Sequence, residues 1–132
     1  MRSPPTAFPN PWAGAVLVCE SERHIARLIE VNLQRQGLNV TCVFDGEEAI
    51  NQLEASGILK LAPRFTTVVV DMMLSKVNGY DVLKWIRERD SGPPARVVMT
   101  VPSAKDREAL KMLPYRADAY FVKPFNPMEL LR

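Results

Sequence analysis

Five short, valine-rich apolar runs alternate along this chain with longer segments of helical periodicity, the order of repeated strand–helix units around a parallel sheet. The runs are Ala15 to Cys19, Asn39 to Phe44, Thr66 to Val70, Arg96 to Val101 and Ala119 to Val122. Their near-continuous apolar character requires a sheet covered on both faces. Between them a helix is predicted from about His24 to Gln36, with Ile25, Leu28, Ile29 and Leu33 as its stripe and Gly37 as its stop. A second follows Asp45-Gly46 through Ala49, Ile50 and Leu53, and a third runs from Asn78-Gly79 through Val82, Leu83 and Ile86. The fourth, Ala104 to Leu113, buries Ala109, Leu110 and Leu113 ahead of Pro114. A fifth opens at Asn126-Pro127, a cap followed by proline at the first helical position, and is cut short at Arg132. So short a helix cannot cover its share of the sheet, so the chain is expected to be the N-terminal piece of a longer protein.

A chain of 132 residues with 47% hydrophobic content can bury one core and not two. Residues 1–14 read as a flexible, proline-rich lead-in and residues 15–132 as the domain. The 17 Lys and Arg against 15 Asp and Glu leave a net charge of +2, with no basic run interleaved with aromatics, so direct nucleic-acid binding has no electrostatic support. Cys19 and Cys42 lie inside apolar runs and read as small buried hydrophobes in a reducing compartment. No segment has the pattern of a signal peptide or the length of a membrane span, which predicts a cytoplasmic protein without membrane contact.

In such a sheet, ligands bind beyond the strand ends where the strand order reverses. Three polar signals fall there: Glu20-Ser21-Glu22 after the first strand, Asp71 after the third and Lys123-Pro124 after the fifth. A rim carboxylate can attack a phosphoryl donor and form an acyl phosphate, provided a divalent cation offsets the repulsion between the two anions. Hard cations prefer oxygen, and Glu20, Glu22 and backbone carbonyls beyond Asp71 are candidate ligands. Lys123 is suited to pair with phosphoryl oxygens, and a hydroxyl from Thr100 or Ser103 to report the modification. Taken singly, Asp71 would read as a turn residue and Lys123 as a surface charge; their joint placement after three strands favours the functional reading.

Asp71-Met72-Met73-Leu74, followed by Asn78-Gly79-Tyr80, resembles the phosphorylation-site motif of response-regulator receiver domains. Val122-Lys123-Pro124-Phe125 is similar to their lysine motif, and Asp45-Gly46-Glu47-Glu48-Ala49 to the start of their second helix, so the likeness covers about Ala15 to Arg132. The resemblance implies an α/β, doubly wound, flavodoxin-like sheet of order 2-1-3-4-5 with helices on both faces. It implies phosphoryl transfer from a histidine kinase or phosphotransfer protein to Asp71, with Mg2+ as cofactor. Carried over by position, Glu20, Asp71 and the Met73 carbonyl hold the metal, with Glu22 or Ser21 as a further ligand. Lys123 contacts the phosphoryl group, Thr100 or the Val101 position carries the switch, Tyr120 is the aromatic that follows it, and the bond to Pro124 is cis. The domain is expected to be a signalling module and not an enzyme, with at most weak autodephosphorylation, acting through a C-terminal output domain or a partner protein, with homodimerisation left open.

Four positions depart from the pattern. Ser21 stands where receivers usually carry a second acid, which removes one negative charge from the metal site. Val101 stands at the ungapped switch-hydroxyl position, and Thr100 one residue early. Ser75 replaces a common proline and Arg116 a common glycine. The segment Ser56 to Phe65 is longer than relatives need and reads as extended helix or loop. Trp85 could face either way on the third helix, and Trp12 reads as a docking contact from the lead-in. These departures support one alternative, a pseudo-receiver acting as a phosphorylation-independent interaction module. A nucleotide or flavin binder would want a Gly-rich or hydroxyl-rich loop after the first strand, and an aspartyl phosphatase a second carboxylate where Met73 stands; neither fits.

Overall fold

The structure, a computed structural model, describes residues 14–57, 65–89, 95–126 and 129–130. Five parallel strands form one sheet: β1 (Ala15–Cys19), β2 (Asn39–Val43), β3 (Phe65–Asp71), β4 (Arg96–Val101) and β5 (Ala119–Val122), in the order β2-β1-β3-β4-β5. Four helices lie among the described residues: α1 (Arg23–Gln34), α2 (Gly46–Gly57), α3 (Gly79–Arg89) and α4 (Ala104–Lys111). This is the doubly wound, flavodoxin-like arrangement. The order reverses between β1 and β3, so the C-terminal ends of those strands border the crevice where such folds bind ligands.

Burial explains which runs became central strands. Every residue of β1 is buried, as is all of β3 but Thr66, because both strands have neighbours on either side and helices above and below. Residues of one parity (Leu17, Cys19, Val68, Val70, Met99) face α2, α3 and α4, where Ala49, Val82, Leu83 and Ile86 meet them. Residues of the other parity (Val16, Val18, Val69, Val98) face Ile29 and Leu33 of α1, together with Leu130. Edge strand β5 is only half-buried throughout. Residues 129–130 form a short 3-10 turn beside this second layer, tied by the Glu129 N–H to the Asn126 carbonyl at 2.8 Å. Most of the expected fifth helix, like Trp12 and residues 58–64, lies outside the described residues.

The helix starts are fixed by side chains. Asp45 and Glu48 form a reciprocal cap on α2, Asp45 accepting from the Glu48 N–H (2.8 Å) and Glu48 from the Phe44 N–H (3.2 Å). Asn78 caps α3 and Ser103 caps α4. Gly37, at φ +83°, ends α1 in a left-handed conformation that L side chains rarely adopt.

Two helical stripes differ from expectation. On α1 the buried line is Ala26, Ile29 and Leu33, and Leu28 is 55% exposed. Leu28 sits about 100° around the axis from Ile29, and the small Ala26 lets the helix approach the sheet on its own side. On α4 only Leu110 is buried; Ala109 is exposed, and Leu113 falls beyond the helix end with 40% exposure. Eight residues over the sheet edge bury a single position. Trp85 is partly buried against the core, its ring covered by the Arg89 guanidinium 4.9 Å away.

Candidate functional site

Asp71 is the last residue of β3, and its side chain is brought to the rim yet remains 2% exposed. The Met73 N–H donates to its Oδ1 at 3.0 Å and the Ser21 hydroxyl to its Oδ2 at 2.9 Å. The loop behind it is tightly backed. The Met72 N–H donates to the Thr100 carbonyl (2.9 Å) and the Gly79 N–H to the Met72 carbonyl (3.1 Å). A Cβ on Gly79 would overlap the Asp71 carbonyl oxygen and the Met72 Cα, so a glycine is needed for α3 to start this close. The same holds at Gly46, where a Cβ would strike the backbone of Val77.

Glu20, one residue past β1, is buried at 1% exposure beside Asp71. Its Oε2 accepts the Glu22 N–H at 3.0 Å, so Glu20 satisfies a backbone donor at the start of α1, a helix whose own cap position makes no side-chain bond. The Lys123 ammonium closes the cluster, 2.6 Å from Glu20 Oε1 and 3.4 Å from Asp71 Oδ2, with its side chain 19% exposed. The Lys123–Pro124 peptide bond is cis. With both carboxylates ionised, the acids outnumber the ammonium and the rim carries net negative charge.

Burial and hydrogen bonding separate the two acids. Burial is the largest influence on both and raises the Glu20 carboxyl above its ordinary value, with the Glu22 N–H and Lys123 opposing. At Asp71 burial also pushes upward, but the Met73 N–H, Glu20, Lys123 and Ser21 together outweigh it and hold the carboxyl below the ordinary aspartate value. Lys123 is raised: burial acts against its charge, and the two carboxylates more than compensate. The two neighbouring carboxyls are thus pushed in opposite directions, Glu20 towards its neutral form and Asp71 towards its charged form.

The other candidates divide. Ser21 is exposed, borders solvent and lies 3.5 Å from Glu20 Oε2 as well. Glu22 turns outward, half-exposed and 3.4 Å from His24 Nε2. Met73 is 61% exposed. On β4, Thr100 pairs in register with Asp71, but its Oγ1 is buried without a hydrogen bond, and Val101 is buried in the core below α4. The Ser103 hydroxyl is engaged with Asp106, capping α4. The Tyr120 hydroxyl accepts from the Ala117 N–H at 2.9 Å, and its ring packs against the core. Two features escaped the sequence reading: the direct Ser21–Asp71 bond, which needs the β1 and β3 ends side by side, and the role of Gly79 behind Asp71. Beside Lys123 the rim opens into an apolar cleft of about 530 Å³ that includes Ile25, Leu28, Pro102 and Phe125.

A flavodoxin-like sheet with an aspartate at the end of β3, an acid beyond β1 and a lysine beyond β5 defines a receiver-type signalling domain. The family model of the response regulator receiver domain matches residues 16–132, and the chain belongs to that family, the receivers of two-component systems. Response regulator ArlR of Staphylococcus aureus (strain Mu50 / ATCC 700699) is 28% identical over 116 residues, 88% of this chain and 48% of that protein. The chain thus spans about half the length of the curated relatives it matches. Among solved structures, the bacteriophytochrome response regulator RtBRR superposes with a TM-score of 0.76 at 26% identity, covering 89% of this chain and 73% of that one. The BeF3-activated DrrB receiver domain gives 0.72 at 29% identity, covering 89% and 90%.

Proposed function

We propose that this chain is a phosphoacceptor: Asp71 receives a phosphoryl group from the phosphohistidine of a histidine kinase or phosphotransfer protein, and the modification alters a surface read by an output domain or partner. The observation that carries the reading is the placement of the Asp71 carboxylate at the end of β3, with Oδ1 accepting from the Met73 N–H, and Oδ2 accepting from the Ser21 hydroxyl and lying 3.4 Å from the Lys123 ammonium. The two hydrogen bonds orient the carboxylate, and the lysine offers charge to the incoming phosphoryl oxygens.

The donor set suits a hard divalent cation such as Mg2+: the Glu20 and Asp71 carboxylates with the Met73 carbonyl, all oxygen. Such an ion supplies positive charge that offsets repulsion between carboxylate and phosphoryl group. Ser21 makes the set one charge poorer than two adjacent acids would, and among the described residues no cluster of three His, Cys, Asp or Glu side chains gathers. Within the chain, Ser21 and the Met73 N–H hold the Asp71 carboxylate in place, and Glu20 anchors Lys123 beside it.

The test is intact mass after incubation with acetyl phosphate and Mg2+. The reading expects a gain of one phosphate that is absent in Asp71→Asn; no gain at saturating donor would refute it. A second reading, a phosphorylation-independent interaction module, draws on two observations: Lys123 already neutralises the acids in part, and Val101 offers no switch hydroxyl. That module would bind its partner equally well as the wild-type chain and as the Asp71→Asn variant.

A further inference from the structure

We propose that the Ser21 hydroxyl is the hydrogen-bond donor to the departing carboxylate oxygen when a phosphoryl group leaves Asp71, so that Ser21 sets the lifetime of the modified state. The inference rests on the reading of Asp71 as phosphoacceptor and goes beyond it by giving a role to the residue that breaks the acid pair.

Asp71 Oδ1 is held by the Met73 N–H, so Oδ2, which faces Lys123, is the oxygen positioned to bond phosphorus. The Ser21 hydroxyl is 2.9 Å from that same oxygen. A serine has one proton to give, and its other acceptor, Glu20 Oε2, is farther at 3.5 Å. The other two hydroxyls considered for the site do not bond Oδ2: Ser103 donates to Asp106 at 2.7 Å, and Thr100 Oγ1, buried beside Asp71 on β4, makes no hydrogen bond. Val101 has no hydroxyl.

On loading from acetyl phosphate, the Oδ2–P bond forms as the donor's P–O bond breaks, acetate leaving with the electron pair. On unloading, a water oxygen attacks phosphorus, the Oδ2–P bond breaks and its electron pair returns to Oδ2; the water's protons end on inorganic phosphate or in solvent. Oδ2 is then a poor acceptor while bridging and a strong one as charge returns to it. A hydroxyl fixed 2.9 Å away gains strength along that path, which lowers the barrier to hydrolysis.

The experiment loads the full chain with acetyl phosphate and Mg2+, removes the donor, and follows loss of phosphate by intact mass with and without EDTA. Ser21→Ala is expected to lengthen the lifetime about tenfold, below the usual range for a donor to a developing oxyanion because Ser21 borders solvent. Ser21→Thr, which keeps the hydroxyl, is expected to restore the wild-type lifetime, and the alanine-to-wild-type ratio to survive chelation. An alanine variant with the wild-type lifetime overturns the proposal, as does a ratio that collapses to one in EDTA, which would assign the effect to cation binding. A wild-type chain that never gains phosphate overturns this proposal and the phosphoacceptor reading together; loading without any effect of Ser21 overturns this one alone.

Discussion

Replacing Lys123 by methionine is expected to destabilise the fold by an amount that depends on pH in a defined way. The ammonium lies 2.6 Å from Glu20 and 3.4 Å from Asp71, both buried. At an effective dielectric near 20 each attraction is about 5 to 6 kcal/mol before solvation losses, and removing one partner of a buried pair typically costs about 3 to 5 kcal/mol. The variant has a way to limit that penalty, because one carboxyl can take up a proton. Glu20 is the one to do so, being already raised by burial, and its reference value is 4.5. At about 1.4 kcal/mol per pH unit, protonating such a group costs about 3.4 kcal/mol at pH 7 and about 0.7 at pH 5. A carboxyl raised in the folded state binds more protons there than in the unfolded chain, so its stability falls as pH rises between the unfolded and folded values. Lys123→Met should therefore lose about 3 kcal/mol relative to wild type at pH 7 and under about 1 kcal/mol at pH 5, measured by urea denaturation at both. In a Glu20→Gln background the pH dependence should vanish. A loss independent of pH, or one below about 1 kcal/mol at pH 7, would show that the lysine is not the counter-charge of a buried acid pair.

Three further outcomes follow from the same geometry. Gly79→Ala should cost about 1 to 3 kcal/mol, since the methyl group meets backbone rather than a flexible side chain, and should slow loading of Asp71 by shifting its loop; unchanged thermal melting would contradict this. Leu83→Ala removes a wholly buried side chain of α3 and should cost about 2 to 5 kcal/mol in urea denaturation, a loss under about 1 kcal/mol showing that the layer is not packed as described. Burial pushes Cys42 up to about 11, helped by Glu30 and opposed by Arg27, and Cys19 higher still, so neither thiol should react with a thiol reagent at pH 8 until urea is added; one equivalent consumed at the rate of a free cysteine would refute it.

The strands were legible because their signal is local. A sheet buried on both faces must be continuously apolar, and β1, β4 and β5 have the bounds their valine runs suggest, while β2 ends one residue sooner and β3 extends one residue each way. Helix faces were less so. Leu28 satisfies the apolar period of α1 yet faces solvent, because the rotation of a helix on a sheet is set by how closely its small residues approach, here Ala26. Similarly, α4 ends at Lys111, two residues before the point at which Leu113 would have counted as core. At the site, Glu20, Asp71 and Lys123 could be named from their places after apolar runs, since a strand end fixes where a side chain emerges. The hydrogen bond from Ser21 to Asp71 joins residues 50 positions apart and depends on the β1–β3 register, which no local pattern encodes.

The most direct measurement traps the acyl phosphate chemically and locates it. The chain, treated with acetyl phosphate and Mg2+, is reduced with borohydride, which converts a phosphorylated aspartate to homoserine, then digested and mapped by peptide mass. The account expects homoserine at residue 71 and nowhere else, lost in Asp71→Asn and without donor. Unreduced Asp71 alongside a reduced carboxyl elsewhere, or no reduction at saturating donor, would contradict it.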